Sequence, residues 1–197
     1  MKPKTFIFVG RSGSGKGTQL ELLEKFLAGE NKDIGAQSFV MGNIFREFMK
    51  GEGYAQERAR EIINGGNLMP DFITISLFTK ALLEKIQSHE HAYIDGFPRS
   101  IPQAQAVIDA MSYFKRESPV IIDIDVSEEE VKKRMLKRGR PDDTEEGIAS
   151  RFAFYNREVV PAVEFLKEKS GFNYIKIDGE RSVEAIHEDL KNHIIAL

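Results

Sequence analysis

An apolar run, Thr5-Phe6-Ile7-Phe8-Val9, leads straight into Gly10-Arg11-Ser12-Gly13-Ser14-Gly15-Lys16-Gly17-Thr18-Gln19. The stretch after it, residues 20–27, carries apolar residues at helical spacing. Strand, glycine-rich loop and helix in that order can turn successive backbone N–H groups inward around a phosphate. The start of the helix adds partial positive charge, and Lys16 supplies a mobile full charge for the outer phosphates. A turn that merely joins a strand to a helix would also use glycine. It would not need Lys16 and Thr18 at these offsets. The chain therefore binds a nucleoside triphosphate, with Gly13, Ser14, Gly15, Lys16, Gly17 and Thr18 as the cradle. Because Gly17 follows the lysine, the hydroxyl arrives one position late. That leaves Thr18 to a phosphate, to a metal-bound water, or to Mg2+ as a secondary candidate.

At 197 residues the chain is long enough for one well-packed core and short for two independent domains. Charged residues make up 30% and hydrophobic ones 41%, which suits a water-facing globular protein. A formal charge of -3 argues against general binding to nucleic acid or to an acidic membrane. Cysteine is absent, so neither disulfides nor a cysteine zinc site brace the fold. The N-terminal apolar run is too short for a signal-peptide core or a membrane span. The expectation is a cytoplasmic protein.

Short apolar runs alternate with amphipathic stretches from end to end. Strands are expected at 5–9, 38–41, 92–94, 120–126 and 174–177, and helices most clearly at 71–87, 127–137, 145–169 and 183–196. This alternation implies an α/β fold, a central parallel sheet of about five strands between two helical layers. Ser127 and Glu130 form a capping-box signature, and Pro161 should kink or divide the long pattern at 145–169. Residues 42–70 read as short glycine-punctuated helices, and residues 138–144 as a polar joint. Ligands of open α/β sheets sit beyond the carboxyl ends of the strands, so both stretches are candidate movable covers.

Asp95-Gly96-Phe97-Pro98-Arg99 follows directly on a strand, which places Asp95 at the strand tip. Its carboxylate could hold Mg2+ through water if that strand neighbours the first; a simple Asp-Gly turn is the alternative. Arg99, fixed after Pro98, offers a planar, permanently charged fork for a phosphate. Arg134, Arg138, Arg140 and Arg151 gather in the second half, the first two one helical turn apart. Charge on a helix is usually a solvated face, as for Lys132, Lys133 and Lys137. Phosphoryl transfer between nucleotides is different, because it brings many negative charges together with little covalent help from protein. It rests on positioning and charge stabilisation, which several arginines, one lysine and Mg2+ can supply. The four histidines lack zinc-ligand spacing, and no nucleophilic triad is suggested.

These motifs, in this order, resemble the adenylate kinase family of nucleoside monophosphate kinases. Residues 13–19 are similar to its phosphate loop, including the glycine after the lysine. Gly42-Asn43-Ile44-Phe45-Arg46 and Gly66-Asn67-Leu68-Met69-Pro70 resemble the two ends of its monophosphate-binding segment. Asp95-Gly96-Phe97-Pro98-Arg99 followed by Ile101-Pro102-Gln103-Ala104 is its most specific stretch. Arg138, Gly139-Arg140-Pro141-Asp142-Asp143 and Arg151 match its lid and the arginine beyond. The resemblance implies one P-loop kinase domain over 1–197, with a monophosphate-binding segment at 40–70 and a very short lid at about 137–144. It also implies Mg·ATP + NMP ⇌ ADP + NDP by direct in-line transfer. Lys16, Arg99, Arg138, Arg140 and Arg151 would be catalytic. The donor site would add Arg134, stacked on the base, and the backbone near Arg181. The acceptor site would use Met41, Gly42, Arg46, Leu68, Met69, Gly96, Arg99, Gln103, Arg140 and Arg151.

The acceptor base is less constrained. A carboxamide such as Gln103 can offer adenine a donor and an acceptor together. Met41 stands where adenine-specific members of the family usually have threonine and UMP/CMP-specific members tend to have alanine. Asn43 replaces an acid, and Arg11 replaces a small residue. The joint leaves no room for the zinc-bearing insert of long-lid members. AMP is the expected acceptor, with UMP or CMP next and a catalytically silent nucleotide-binding protein behind them. A kinase for a small non-nucleotide alcohol would not need the base-contact positions. A monomer is expected.

Overall fold

The structure is a computed structural model that describes residues 2–64, 67–140 and 143–197. Gly66, Pro141 and Asp142, quoted above within motifs, lie outside the described residues. Strands β1 (Thr5–Val9), β2 (Ala36–Val40), β3 (His91–Asp95), β4 (Val120–Asp125) and β5 (Asn173–Asp178) form one sheet in the order β2-β3-β1-β4-β5. Every pairing is parallel. The helices are α1 (Lys16–Glu30), α2 (Met41–Phe48), α3 (Tyr54–Asn64), α4 (Asp71–Lys85), α5 (Ile101–Tyr113), α6 (Glu128–Arg138), α7 (Glu145–Phe154), α8 (Val160–Lys169) and α9 (Val183–Ile195). Among the described residues no helix is long and apolar enough to cross a membrane.

Side chains alternate across each strand, so β1 feeds two cores. Phe6 and Phe8 join Ile122 and Ile124 against α1, α6 and α9, where Leu23, Leu27, Val131, Met135, Leu190 and Ile194 are buried. Ile7 and Val9 point the other way, to Phe78, Leu82, Val107, Met111, Val163 and Leu166 of α4, α5 and α8. Each such side chain contributes roughly 1.5–3 kcal/mol on burial. The apolar layers therefore carry the stability, and the loops at the strand tips are free to be charged. β1, buried along all five residues, lies between β3 and β4 and puts the phosphate loop at the centre of that edge.

The expected helix at 145–169 is divided. A π-helical turn, Tyr155–Val159, separates α7 from α8. Pro161 has no N–H to give to the carbonyl of Arg157, and its ring would collide with that carbonyl in an unbroken α-helix. The wider turn absorbs the mismatch. The capping box of α6 is only half formed. Ser127 Oγ accepts from Glu130 N at 3.4 Å, but Ser127 N donates to Glu180 at 3.0 Å. Glu130 is occupied instead by Arg134, four residues along the same helix. Met41, expected to end a strand, opens α2, and the regular helix α5 lies at 101–113, a stretch not picked out from the sequence.

Candidate active site

The loop between β1 and α1 holds its curvature with glycines at φ +135° (Gly10), +90° (Gly13) and +98° (Gly15). At Gly13 a Cβ would also stand 2.8 Å from the Met135 side chain, so the loop rests directly on α6. Lys16 begins α1 and bends back over the loop. Its Nζ donates to the carbonyls of Gly10 and Arg11, both at 2.8 Å. Enclosure lowers its pKa to about 8, with Asp95 pulling upward and Arg99 pushing further down. Thr18 and Gly17 are exposed on the first turn, while Ser14 is buried.

Asp95 pairs in register with Phe8, so its strand does neighbour the first. Its Oδ1 is buried without a hydrogen-bond partner among the described atoms. An unpaired carboxylate oxygen beside a phosphate loop fits a Mg2+ ion held through water. Among the described residues no three acid or imidazole side chains form a metal cluster by themselves.

A cleft of about 740 Å3 opens beyond these strand tips, and Gly10, Ser12, Lys16, Gly96, Arg99 and Arg151 are among its lining residues. Ile63, Asn67 and Leu68 close one side, and Phe154, Tyr155 and Val159 of the divided helix form another wall. Arg99 is crowded by the cleft, which lowers its pKa against the pull of Asp95, although its side chain still opens to solvent. It stays charged at any working pH. Its backbone is held from below, where Arg99 N donates to Gln103 Oε1 at 2.8 Å. Gln103 is buried, and its amide donates to Asp71 at 2.6 Å. Half of the carboxamide's hydrogen-bonding capacity is thus engaged within the protein. Ser100 Oγ also donates to Asp71, at 2.9 Å, so one carboxylate ties the start of α4 to the start of α5.

Of the other predicted residues Leu68 lines the cleft, whereas Met41, Arg46, Met69, Arg134, Arg138 and Arg181 do not. Met41 is buried behind Gly96, its Cβ 3.5 Å from where a Cβ on that glycine would lie. Arg46 bonds to Asn43 and folds back over Gly42. Met69 is buried and Leu68 exposed. Arg134 donates to Glu130 at 2.8 Å and to the carbonyl of Ser14 at 3.5 Å, which sets it against the phosphate loop. Arg181 pairs with Asp189 beyond β5, and the same connection receives Gln19 of α1 through the carbonyl of Val183 at 2.9 Å.

Asp143, to which the sequence motifs assign no part, binds the end of α6 to α7. Both of its oxygens accept from Arg138, at 2.9 and 2.8 Å; Arg151 adds a bond at 2.9 Å and the backbone of Arg140 one at 3.1 Å. Its carboxylate has no accessible surface, although little protein packs around it. The Arg138 bonds hold its pKa down to about 2, against the opposing effect of burial. The signal was present in the sequence as one carboxylate amid Arg138, Arg140 and Arg151. Asp71 and Ser100, which fix Gln103 and Arg99, were also missed.

A triphosphate cradle, an unpaired acid on the adjacent strand and arginines converging from three segments define a phosphoryl-transfer enzyme built on a parallel α/β sheet. The family model for adenylate kinase matches residues 8–171. The chain is 32% identical over 189 residues to the adenylate kinase of Bacteroides fragilis (strain YCH46), covering 93% of this chain and 94% of that protein. It is 33% identical over 189 residues to that of Azobacteroides pseudotrichonymphae genomovar. CFP2, covering 94% of each. Against the enzyme of Prochlorococcus marinus (strain MIT 9301) it is 28% identical over 188 residues, 95% of this chain and 97% of the other. The chain belongs to the adenylate kinase family, and so to the nucleoside monophosphate kinases.

Proposed function

We propose that this protein catalyses Mg·ATP + AMP ⇌ 2 ADP, as the printed names of its relatives state for them. The observation that carries this is the convergence of Lys16, Arg99 and Arg151 on one cleft beside the unpaired oxygen of Asp95. Lys16 exchanges two neutral carbonyls for the outer phosphates of ATP. Arg99 and Arg46 hold the acceptor phosphate in line with them. Arg138, Arg140 and Arg151 neutralise charge on the group in transit, where pre-aimed donors act most strongly. Asp95 would hold Mg2+ through water, and the ion would supply charge neutralisation between the donor phosphates. Arg134 and the backbone near Arg181 receive the donor base. Met41, Gly42, Leu68, Met69, Gly96 and Gln103 form the acceptor pocket, with one N–H and one lone pair of Gln103 still open to the base.

Residues 40–70 and 137–144 act as covers that exclude water, which would otherwise compete for the γ-phosphoryl group. We read the protein as a cytoplasmic monomer. The test is a transfer assay with Mg·ATP against AMP, CMP, UMP and GMP at equal concentration. The expected result is a strong preference for AMP. A preference for CMP or UMP would overturn the acceptor while keeping the mechanism. Failure with all four would leave only a nucleotide-binding protein.

A further inference from the structure

Arg11 is the cation of the phosphate loop that the transfer chemistry leaves unused. It does not line the cleft, yet it is fixed at both ends. Its carbonyl accepts from Ser14 N at 3.1 Å and from Lys16 Nζ at 2.8 Å. Its side chain leaves the loop and crosses beyond β4. There Nη1 donates to the carbonyl of Val126 at 3.2 Å, and Nη2 donates to Asn156 Oδ1 at 3.2 Å. Nη2 also lies 3.5 Å from the carboxylate of Glu128, to which Asn156 donates at 3.0 Å. The guanidinium covers the ring of Tyr155, 4.8 Å from its centroid. Only 19% of the side chain is accessible. A cation placed for solubility alone would stay extended in water, not be clamped by a carbonyl, an amide and an aromatic face.

The far end of this clamp matters for chemistry. Tyr155 and Asn156 open the π-helical turn, and Tyr155 N–H donates to the carbonyl of Arg151. The clamp is therefore continuous with the last turn of α7, which presents Arg151 to the cleft. One guanidinium spans the loop that holds Lys16 and the helix end that holds Arg151.

We propose that Arg11 is a positioning residue for phosphoryl transfer. It fixes the separation between Lys16 and Arg151 so that both act on the same phosphoryl group. This rests on the cleft being the transfer site. A displacement of about 1 Å in such a constellation costs on the order of a hundredfold in rate. Loss of the tether is therefore read in kcat, whereas the KM values follow contacts that Arg11 does not make.

The experiment is steady-state kinetics of ATP with AMP, together with urea unfolding, for wild type, R11A, R11K, N156A and R11A/N156A. R11A is expected to lose about tenfold or more in kcat, with both KM values within about twofold of wild type. R11K keeps a charge near Glu128 but not the fork or the stacked plane, so it should regain the unfolding midpoint without regaining kcat. N156A should lose part of the same kcat, and the double variant should be no slower than R11A, because both substitutions cut one tether. Wild-type kcat in R11A, additive losses in the double variant, or kcat rising in R11K together with stability would overturn the proposal. If R11A does not fold, N156A decides: a wild-type kcat there overturns it. An active wild type with an equally active R11A defeats this inference alone. A wild type that transfers to no nucleoside monophosphate defeats the proposed function and this inference with it.

Discussion

The binding of ATP should take up a proton above pH 8, and Lys16 is the group that takes it. The ammonium is enclosed by the loop, with Asp95 and Asp123 drawing its pKa up and Arg99 and Arg138 pushing it down; burial dominates and leaves it at about 8. At that value it is about nine-tenths charged at pH 7 and about one-tenth charged at pH 9. The phosphates of bound ATP bring several negative charges to Nζ and lift its pKa well above this window. By linkage, affinity for ATP should fall about tenfold between pH 7 and pH 9, with close to one proton taken up per ATP bound at pH 9. Neither arginine nor a Mg-bound triphosphate titrates there, and Tyr155 on the cleft wall is pushed up to about 12. Calorimetry at pH 7, 8 and 9, in buffers of different ionisation enthalpy, reads both quantities. Lys16→Met should bind more weakly with no slope, and should lose most transfer activity. An affinity constant within twofold from pH 7 to 9, with no buffer-dependent heat, would refute the reasoning.

The same shift fixes a stability sign. An unfolded lysine, near 10.4, binds more protons than the folded one between about pH 8 and 10.4, so without nucleotide this group contributes stability that grows as pH rises through that window. At pH 7 the buried ammonium is a cost. Lys16→Met should therefore be no less stable than wild type, even though two carbonyls lose a donor.

Asp143→Asn should lower stability at pH 7 by about 1–2 kcal/mol, after discounting for the thin cover over the site and its partly exposed arginines. For a chain of this size that corresponds to roughly 3–6 °C in Tm. Because the folded pKa is depressed to about 2, this stabilisation is fully present well above the ordinary carboxylate value and is lost as pH falls through about 2. About half should be gone at pH 3, so the gap in urea midpoints between wild type and variant should narrow; equal midpoints at pH 7 would sink the idea. Arg99→Ala should fold normally but lose about a hundredfold or more in transfer, with a raised KM for the acceptor. A wild-type rate in the folded variant would remove Arg99 from the site.

What was legible in the sequence was whatever local patterning determines. Residues 5–27 announce a strand, a glycine loop and a helix because each has its own period and its own turn chemistry, and the structure has all three. The sheet followed from alternation of apolar and amphipathic runs, and the break near Pro161 from the missing N–H. Less legible was everything that depends on a distant partner. Glu130 belonged to a capping box by spacing, but Arg134 takes its carboxylate and Glu180 takes the N–H of Ser127. Asp143 becomes an organising carboxylate only when α6 and α7 fold back on each other and deliver Arg138 and Arg151 to one point. Asp71 and Gln103 lie 32 positions apart, and no periodicity links them.

A shared principle underlies these long-range contacts. A site built to receive two polyphosphates must assemble cations that repel one another. Here each is held on a weaker partner: Lys16 on two carbonyls, Arg138 and Arg151 together on Asp143, Arg134 on Glu130, Arg46 on Asn43 and Arg181 on Asp189. A phosphate chain offers more charge and more acceptor oxygens than any of these. On the proposed function, exchange of partner becomes favourable only once substrate arrives. In the proposed reaction Arg138 and Arg151 trade a shared carboxylate for the group in transit, and Asp143 holds the two together until they do.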